Sequence, residues 1–487
     1  MTTMCGFHRN LCGVVLLASF AVPMARSQEQ ATDQANPVVL DNSSPAKPAS
    51  GKDTNADPEQ LTQDTRALAG AQEPSLGAAG MRRSFWQPLV GLALTADTNP
   101  LITTNSNGLQ TWTSAFGGID MHRISRRSEL TLNFLGGGLT ANNSNGGSYQ
   151  FQELQLNDQL TWRHTAISFF EQLSHLPESA FGSAVSGGLS FPDAQGSSLQ
   201  PVLTPNQSIL TTRAQRISQS FATEVDKFLT PRSSVTFVGS YSLLHFFESG
   251  LLNSGQAVFQ TGYNYQLTSK DTIALLYRFS ALRFTNFDES IDGHIAQVAF
   301  GRRITGRLAF RVAVGPEFTF LRMPVSTGTG TATGATNPTA SSRAGPYWTL
   351  DTSTTYRRQH TEFALTFDRA VFAGGGILAG AVTNQVSGSI NSQLTPTFRG
   401  VFVLGYAGNR GLYVTPPAPA PQSYNYWFGG CNLSRAWGRW TNVFLNYQAQ
   451  FQDSNSSFCL AMACGKSFVR HTISIGFGWR PGPISLQ

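Results

Sequence analysis

The chain has 487 residues, of which 13% are charged, and its formal net charge is +6 at pH 7. A mean hydropathy of −0.14 excludes a bundle of membrane-spanning helices, and the charged fraction is about half that of an ordinary soluble domain. The basic excess comes without a Lys/Arg run, so we expect no nucleic-acid partner. An array of soluble β-sandwiches could share this composition, as could a barrel with one apolar and one wet face.

The N-terminal part of the chain predicts export. Residues 1–27 resemble a signal peptide, with a weakly positive start, the apolar run Gly13–Val22 and a small-x-small site at Ala25–Ser27. Residues 28–83 are rich in Ala, Gln, Asp, Pro, Ser and Asn and have almost no aromatic residues. Such a segment buries too little apolar surface to offset its ordering entropy. We therefore expect a disordered periplasmic segment, or alternatively a docking arm for a periplasmic partner.

Residues 84–487 predict a single sheet of antiparallel strands. The stretch Gln256–Phe284 shows the pattern most clearly, because apolar and polar residues alternate over two runs of about ten residues around the polar turn Thr268–Asp271. Similar runs recur along the chain. The expected strands are Leu89–Ala96, Trp112–His122, Glu129–Thr140, Gln150–Trp162, Thr165–Leu173, Arg216–Phe228, Ser233–Leu244, the two strands within Gln256–Phe284, Ile291–Arg302, Arg307–Leu321, Trp348–Arg357, Thr361–Phe372, Val382–Leu394, Val401–Ala407, Tyr424–Ala436, Trp440–Phe451 and Thr472–Trp479.

The connections between these runs alternate in length. Short turns join the strands within a pair and longer stretches join the pairs, which is typical of periplasmic turns and extracellular loops. The fold class is therefore all-β: a transmembrane antiparallel β-barrel of about eighteen strands, with sixteen the next count, in the outer membrane of a Gram-negative-type bacterium. The longest connection, Pro177–Ala214, is expected to be the third extracellular loop, either folded into the lumen or lying as a surface flap.

Tryptophans agree with this orientation. Trp86, Trp162, Trp437, Trp440 and Trp479 fall near the expected periplasmic strand ends, and Trp112, Trp348 and Trp427 fall near the outer ends. An indole ring favours the membrane interface because its body is apolar and its N–H needs a polar partner.

Taken whole, residues 85–480 resemble bacterial outer-membrane β-barrel (porin-like) proteins, a poorly characterised group of which some members accompany exopolysaccharide export systems. The last strand, His471–Trp479, resembles the C-terminal strand that the barrel assembly machinery reads, although here the chain continues to Gln487. The resemblance implies a pore or an export channel and assigns no functional residue.

The function expected from these patterns is passive diffusion of small polar solutes through a polar lumen. One alternative is the outer-membrane conduit of an exopolysaccharide export system, which would need a periplasmic partner. Another is a structural or adhesive barrel with a blocked lumen. The partners implied are outer-membrane lipid, the transported solute or polysaccharide and the barrel assembly machinery.

Charged residues on the polar strand faces are the candidates for lining the lumen, since a Lys or Arg facing lipid near the midplane costs about 2–4 kcal/mol. They are Glu129, Glu153, Glu224, Asp226, Arg278, Arg307, Arg311, Glu317, Glu362 and Asp368. Uncharged lumen candidates are Gln256, Gln260, Asn264, Gln266, Asn442, Asn446, Gln448 and Gln450, and Phe444 is the one aromatic residue that the pattern places inward.

Nothing in the chain predicts an enzyme or a bound cofactor. The histidines are scattered, and no serine-centred motif occurs in a strand-to-helix context. Cys459 and Cys464 flank four residues in an expected surface loop and are candidates for a local disulfide. No His/Asp/Glu cluster accompanies them, so we expect no metal site.

Overall fold

The structure is a computed structural model, and it describes residues 67–72, 84–100, 102, 108–142, 147–176, 199–200, 203–204, 209, 215–285, 289–305, 307–323, 341–373, 376–412, 422–455 and 467–486. These residues include no helix that is long and apolar enough to cross a membrane. All of them belong to one compact unit, Pro58–Gln487. The expected signal peptide and most of the expected periplasmic segment lie outside the described residues and stay predictions.

The strands are β1 (Phe85–Asp97), β2 (Gln110–Ile124), β3 (Ser128–Ala141), β4 (Ser148–Thr161), β5 (Thr165–Leu176), β6 (Arg216–Thr230), β7 (Ser233–Phe246), β8 (Ser254–Gln266), β9 (Asp271–Phe284), β10 (Ser290–Thr305), β11 (Leu308–Met323), β12 (Ser341–Arg358), β13 (Thr361–Phe372), β14 (Ala381–Thr395), β15 (Phe398–Gly411), β16 (Ser423–Ala436), β17 (Thr441–Ser454), β18 (Phe468–Trp479) and the short β19 (Ile484–Ser485).

The first eighteen strands form one closed barrel. Each pairs antiparallel with its neighbours in the chain, and β1 pairs with β18 from Val90↔Trp479 to Asp97↔Thr472. Connections alternate between short turns at one end and longer loops at the other, and β8 and β9 meet at the turn expected from the sequence. The predicted fold class and the count of eighteen are confirmed. The short-turn end is periplasmic by the rule for such barrels.

The outer face of the barrel is apolar and exposed. Leu275 is 63% exposed and Leu404 is 65% exposed, while Ala274 and Leu276, the inward neighbours of Leu275, are buried. Exposed tryptophans lie at both ends of the strands, for example Trp479 at the periplasmic end and Trp427 at the outer end. An apolar band between two aromatic girdles is the surface of a membrane-spanning barrel, and it places the protein in the outer membrane.

Trp112 departs from the girdle pattern. It points into the barrel, is 2% exposed and packs against Tyr149 with ring centroids 5.7 Å apart. The expectation that Trp112 marks the outer interface is therefore wrong. Its ring belongs to an apolar cluster on the inner face of the barrel, with Leu89, Phe116, Leu135, Leu139, Phe151, Leu176 and Phe444.

The seam between β1 and β18 carries polar contacts at both ends. Toward the outer end, the Arg470 guanidinium donates to both carboxylate oxygens of Asp97, with Nη2–Oδ2 at 2.6 Å and Nε–Oδ1 at 3.0 Å. Both side chains are almost completely buried, at 3% and 1% exposure. The hydroxyls of Thr95 and Ser474, two pairs from the outer end of the seam, form a hydrogen bond of 2.7 Å.

The residues after Trp479 complete the periplasmic end of the seam. Arg480 donates to Asp120 on β2 at 3.1 Å, and β19 pairs with the start of β1 through Phe85↔Ser485. The extension beyond the last long strand therefore belongs to the closure of the barrel. Strand β19 pairs with the first residues of β1, beyond the point where the pairing of β18 with β1 ends.

We predict that Arg470→Met destabilises the barrel by about 3–5 kcal/mol, because the Asp97 carboxylate remains buried without its partner. The measurement is urea unfolding in lipid vesicles, followed by tryptophan fluorescence. Arg283→Met is the matched control: it breaks the pair with Asp292, whose N–O distance is 2.7 Å but whose arginine is 51% exposed. This control should change stability by no more than about 1 kcal/mol. Equal losses in the two variants would contradict the seam assignment.

Candidate functional site: the lumen

The inner face of the barrel carries most of the charged residues that the alternation predicts there. Glu224, Asp226, Arg278, Arg311, Glu317 and Asp368 are buried on the inward faces of β6, β9, β11 and β13. Glu153 and Glu362 are half-buried and lie on the inward faces of β4 and β13. Glu129 is exposed at the periplasmic mouth, 3.1 Å from His122. Arg307 lies in the turn before β11 and is exposed, so it is not part of the strand wall.

Six residues from the N-terminal segment lie inside the barrel. Ala67–Gln72, named here the plug, begins with a tight turn in which the Gly70 N–H donates to the Ala67 carbonyl at 3.0 Å. Ala69 and Ala71 are completely buried, and Leu68 is 6% exposed. The expectation of a segment without fixed contacts does not hold for these six residues. The rest of residues 28–83 lies outside the described part of the chain.

Side chains of the wall bind the backbone of the plug. The Ala69 N–H donates to Asn264 Oδ1 at 3.0 Å, and the Ala69 carbonyl accepts from Gln260 Nε2 at 2.6 Å. The Ala71 N–H donates to the Glu224 carboxylate at 2.5 Å. Backbone groups in a dry interior need partners, and in the plug these partners come from β6 and β8.

Glycines in the wall make room for the plug. A Cβ on Gly262 would lie 2.4 Å from the Ala69 methyl group, and a Cβ on Gly301 would lie 2.7 Å from Leu68. Leu68 and Ala69 pack in one apolar cluster with Ala274, Leu276, Ala299 and Ala313 from β9, β10 and β11. The close approach of Ala69 to the sheet therefore requires glycine at position 262, whereas a Cβ at position 301 would only displace the flexible end of the Leu68 side chain.

The described part of the third extracellular loop also lies in the lumen. Gln200 is completely buried, and its backbone N–H donates to the Ala71 carbonyl while its side chain donates to the Gly70 carbonyl, both at 2.8 Å. Leu199 and Leu203 pack with Ala71 and with residues from β5 to β8 and from β13: Phe170, Ala222, Val238, Val258, Ala370 and Phe372. Of the two arrangements expected for Pro177–Ala214, these residues adopt the one folded into the lumen.

A polar network connects the wall, the loop and the plug. Arg278 donates to Gln260 Oε1 at 2.7 Å and to Gln200 Oε1 at 3.1 Å. Arg311 donates to Asp351 at 2.6 Å, and its Nη2 lies 3.4 Å from the Leu68 carbonyl. A buried charge is tolerated only when it is paired and hydrogen-bonded. The plug and the loop therefore supply hydrogen-bond acceptors to two buried arginines, Leu68 to Arg311 and Gln200 to Arg278.

The two halves of the lumen differ in exposure. Toward the outside, inward residues such as Phe151, Leu282, Ile291, Leu321 and Tyr424 are buried. Toward the periplasm, the inward faces of β4, β13, β14 and β16 carry half-buried polar residues: Gln155, Asn157, Glu362, Thr366, Ser387, Asn391, Asn432 and Ser434. The lumen thus has a polar periplasmic vestibule below a packed outer half.

Sequence reasoning missed most of the inward aromatic residues. Phe444 is inward and 2% exposed, as expected, but Phe116, Phe151, Tyr426 and Phe428 are inward as well. Their strands carry apolar residues on both faces, so alternation alone could not separate the faces. None of these five rings is exposed enough to form an open sliding track for sugar rings.

The cysteines contribute nothing to the described lumen. Cys431 points outward from β16 and is free. Cys459 and Cys464 lie outside the described residues, so their disulfide stays a prediction.

No protein-family model and no curated protein matches the chain. Solved outer-membrane structures do. OccAB3 of Acinetobacter baumannii is 7% identical with a TM-score of 0.39, and the match covers 81% of this chain and 99% of that one. OccK2 (OpdF) of Pseudomonas aeruginosa, solved with glucuronate, is 9% identical with a TM-score of 0.40, covering 83% and 98%. OpdK of the same organism is 10% identical with a TM-score of 0.38, covering 81% and 98%. Because these scores lie below 0.5, the matches say nothing about function.

We predict that Gly262→Val expels the plug, since its side chain would occupy the position of the Ala69 methyl group. The measurement is trypsin cleavage after Arg66 in the folded protein, followed by mass spectrometry. The protease cannot enter the lumen and must hold Ala67 and Leu68 in its cleft, so cleavage requires the plug to leave. We expect cleavage at least about tenfold faster, corresponding to about 1.4 kcal/mol of lost plug binding.

The matched control is Gly239→Val on the outer face of β7, where an added Cβ meets nothing within 4 Å. It should be cleaved after Arg66 at the wild-type rate. Rapid cleavage of the wild-type protein at this site would contradict the lumenal position of the plug.

Proposed function

We propose that this protein is an outer-membrane channel for small polar solutes and that the plug and the third loop hold it closed in the conformation described. The observation that carries the proposal is the hydrogen bonding of Ala69 and Ala71, inside the barrel, to Asn264, Gln260 and Glu224 of the wall. These bonds hold the plug between the wall and Gln200 of the third loop, and no covalent bond among the described residues fixes it there.

The strength of the plug contacts suits a gate. A typical hydrogen bond contributes about 0.5–1.5 kcal/mol net, and the plug makes only a handful of them along with small apolar contacts. Release of the plug should therefore cost several kcal/mol, which permits rare opening without unfolding the barrel. Wall residues that remain after release are polar: Gln260, Asn264, Glu224, Arg278 and Arg311.

The vestibule supports passage of hydrophilic solutes. Its half-buried side chains on β13, β14 and β16 are mainly amides and hydroxyls, with Glu362 as a charged member. Such groups exchange hydrogen bonds with water and with a passing solute at similar energy. The packed outer half favours small solutes over a polymer.

The exopolysaccharide conduit has less support. A polymer of sugars needs a continuous path, and the inward aromatic rings described here are packed in buried clusters. The alternative of a permanently blocked barrel agrees with the packed outer half. It differs from the proposal in requiring that the barrel never conducts.

We predict that full-length protein in a planar bilayer shows infrequent openings and that Gly262→Val raises the open probability at least about tenfold, in proportion to the lost plug binding. The reason is that the barrel opens only when the plug leaves. Gly239→Val should match the wild type.

Two results would count against the channel. If Gly262→Val is folded, as judged by its heat-modifiable migration on gels, and never conducts, the barrel is blocked by something other than the plug and the structural alternative holds. If the wild type conducts steadily and the variant does not differ, the plug is not the gate.

A further inference from the structure

We propose that the lumenal site occupied by the plug is a binding site for short, neutral peptides with small side chains, and that the plug is its built-in competitor. This inference rests on the proposed channel function and names the class of solute that the closed site would accept. Three features of the site support it: its hydrogen bonds to the backbone of the plug, the space available for ligand side chains and the charged side chains around it.

The site recognises a peptide backbone. Asn264 Oδ1 and Glu224 accept from two amide N–H groups, those of Ala69 and Ala71. Gln260 Nε2 donates to the carbonyl of Ala69. Alternating amide donors and carbonyl acceptors are the pattern of a peptide chain, and side chains from β6 and β8 match it without using the side chains of the plug.

The partners of the plug are themselves held in place. Asn264 donates through Nδ2 to the Thr236 hydroxyl at 2.9 Å, and Thr236 donates to Asp226 at 2.5 Å. Gln260 accepts from Arg278 at 2.7 Å. These contacts fix which end of each amide side chain faces the plug, so the recognition pattern persists when the plug leaves.

Three close approaches limit the size of the ligand. The Ala69 methyl group faces Gly262, and a Cβ on Gly70 would lie 2.9 Å from the Glu224 carboxylate oxygens. Leu68 fits a gap at Gly301. The site therefore admits one branched aliphatic side chain, followed by a position for alanine or glycine and then a position that only glycine fills without displacing Glu224.

The charge of the site disfavours an anionic ligand, and the plug that fills it has no charged side chain. The Arg311 charge is matched by Asp351 at 2.6 Å, and Arg278 lies near Asp351, Glu317 and Asp368. The carboxylates Glu224 and Asp226 at the other end would repel an anion. A capped or internal peptide segment meets these conditions.

Covalent attachment of the plug to the barrel explains why the plug, and not a free peptide, occupies the site in the resting protein. A segment attached by a short linker has an effective concentration of about a millimolar, so a free peptide of the same sequence competes poorly. A substitution in the plug that leaves the wall intact should remove this advantage. Ala69→Phe does so, because a phenyl ring has no space against Gly262.

The experiment uses the full-length Ala69→Phe protein in detergent and a fluorescein-labelled peptide with the plug sequence, Ala-Leu-Ala-Gly-Ala-Gln, amidated at its C-terminus. Binding is measured by fluorescence anisotropy. The control peptide replaces the third residue with Phe. We expect saturable binding of the plug peptide to Ala69→Phe, at least about tenfold weaker binding of the control peptide, and at least about tenfold weaker binding to the wild type.

A second variant provides an independent arm. Gly70→Val displaces the plug through the Glu224 carboxylate instead of Gly262, and it should also bind the plug peptide. Adding Gln260→Ala to either variant should weaken binding, because the carbonyl of the third residue loses its donor. Folding of each variant is checked by heat-modifiable migration, and a variant that fails to fold is replaced by the other.

Each outcome decides the proposal. Absence of saturable binding to both folded variants, or equal binding of the two peptides, would overturn the peptide site. Planar-bilayer currents distinguish failure of the peptide site from failure of the channel function. Conduction without peptide binding would support the channel and refute the peptide site. Peptide binding by a variant that never conducts would refute the channel instead.

Discussion

Closure of the sheet between β1 and β18 is the constraint on which the rest of the structure depends. A strand edge in lipid has no water to satisfy its backbone groups, so a spanning sheet persists only as a ring. The ring joins the two ends of a long chain, and its seam is reinforced by the buried Asp97–Arg470 pair and by the Arg480–Asp120 pair. The residues beyond Trp479 therefore belong to the barrel, because they extend the seam where β18 has ended.

A closed ring turns half of each strand toward a confined interior. Charged side chains buried there are removed from bulk water, and ion pairs and hydrogen bonds offset the cost of this desolvation. In the sector from β6 to β12, part of that partnership comes from the plug and from Gln200 on the third loop. The plug and Gln200 thus lie inside the barrel and are hydrogen-bonded to its wall. In the channel proposed above, release of the plug would also remove hydrogen-bond partners from these buried wall residues.

The sequence was sufficient for the barrel, because alternation such as that of Gln256–Phe284 depends only on which face meets lipid. It was insufficient wherever the lumen is packed. Trp112 could face inward because apolar residues fill that part of the interior, and Arg307 fell just outside its strand because ends are set by turn geometry. The lumenal position of Ala67–Gln72 could not be predicted for a different reason. Its small side chains resemble those of the rest of its segment, and the wall binds its backbone, which composition does not reveal.

Hydrogen exchange at the plug tests the central claim most directly. Mass spectrometry of the native protein in detergent would follow deuterium uptake in a fragment containing Ala67–Gln72. We expect the amides of Ala69 and Ala71 to exchange at least about a hundredfold more slowly than in the free peptide, because both are hydrogen-bonded to buried side chains. Complete exchange at the free-peptide rate would show that the plug does not occupy the lumen.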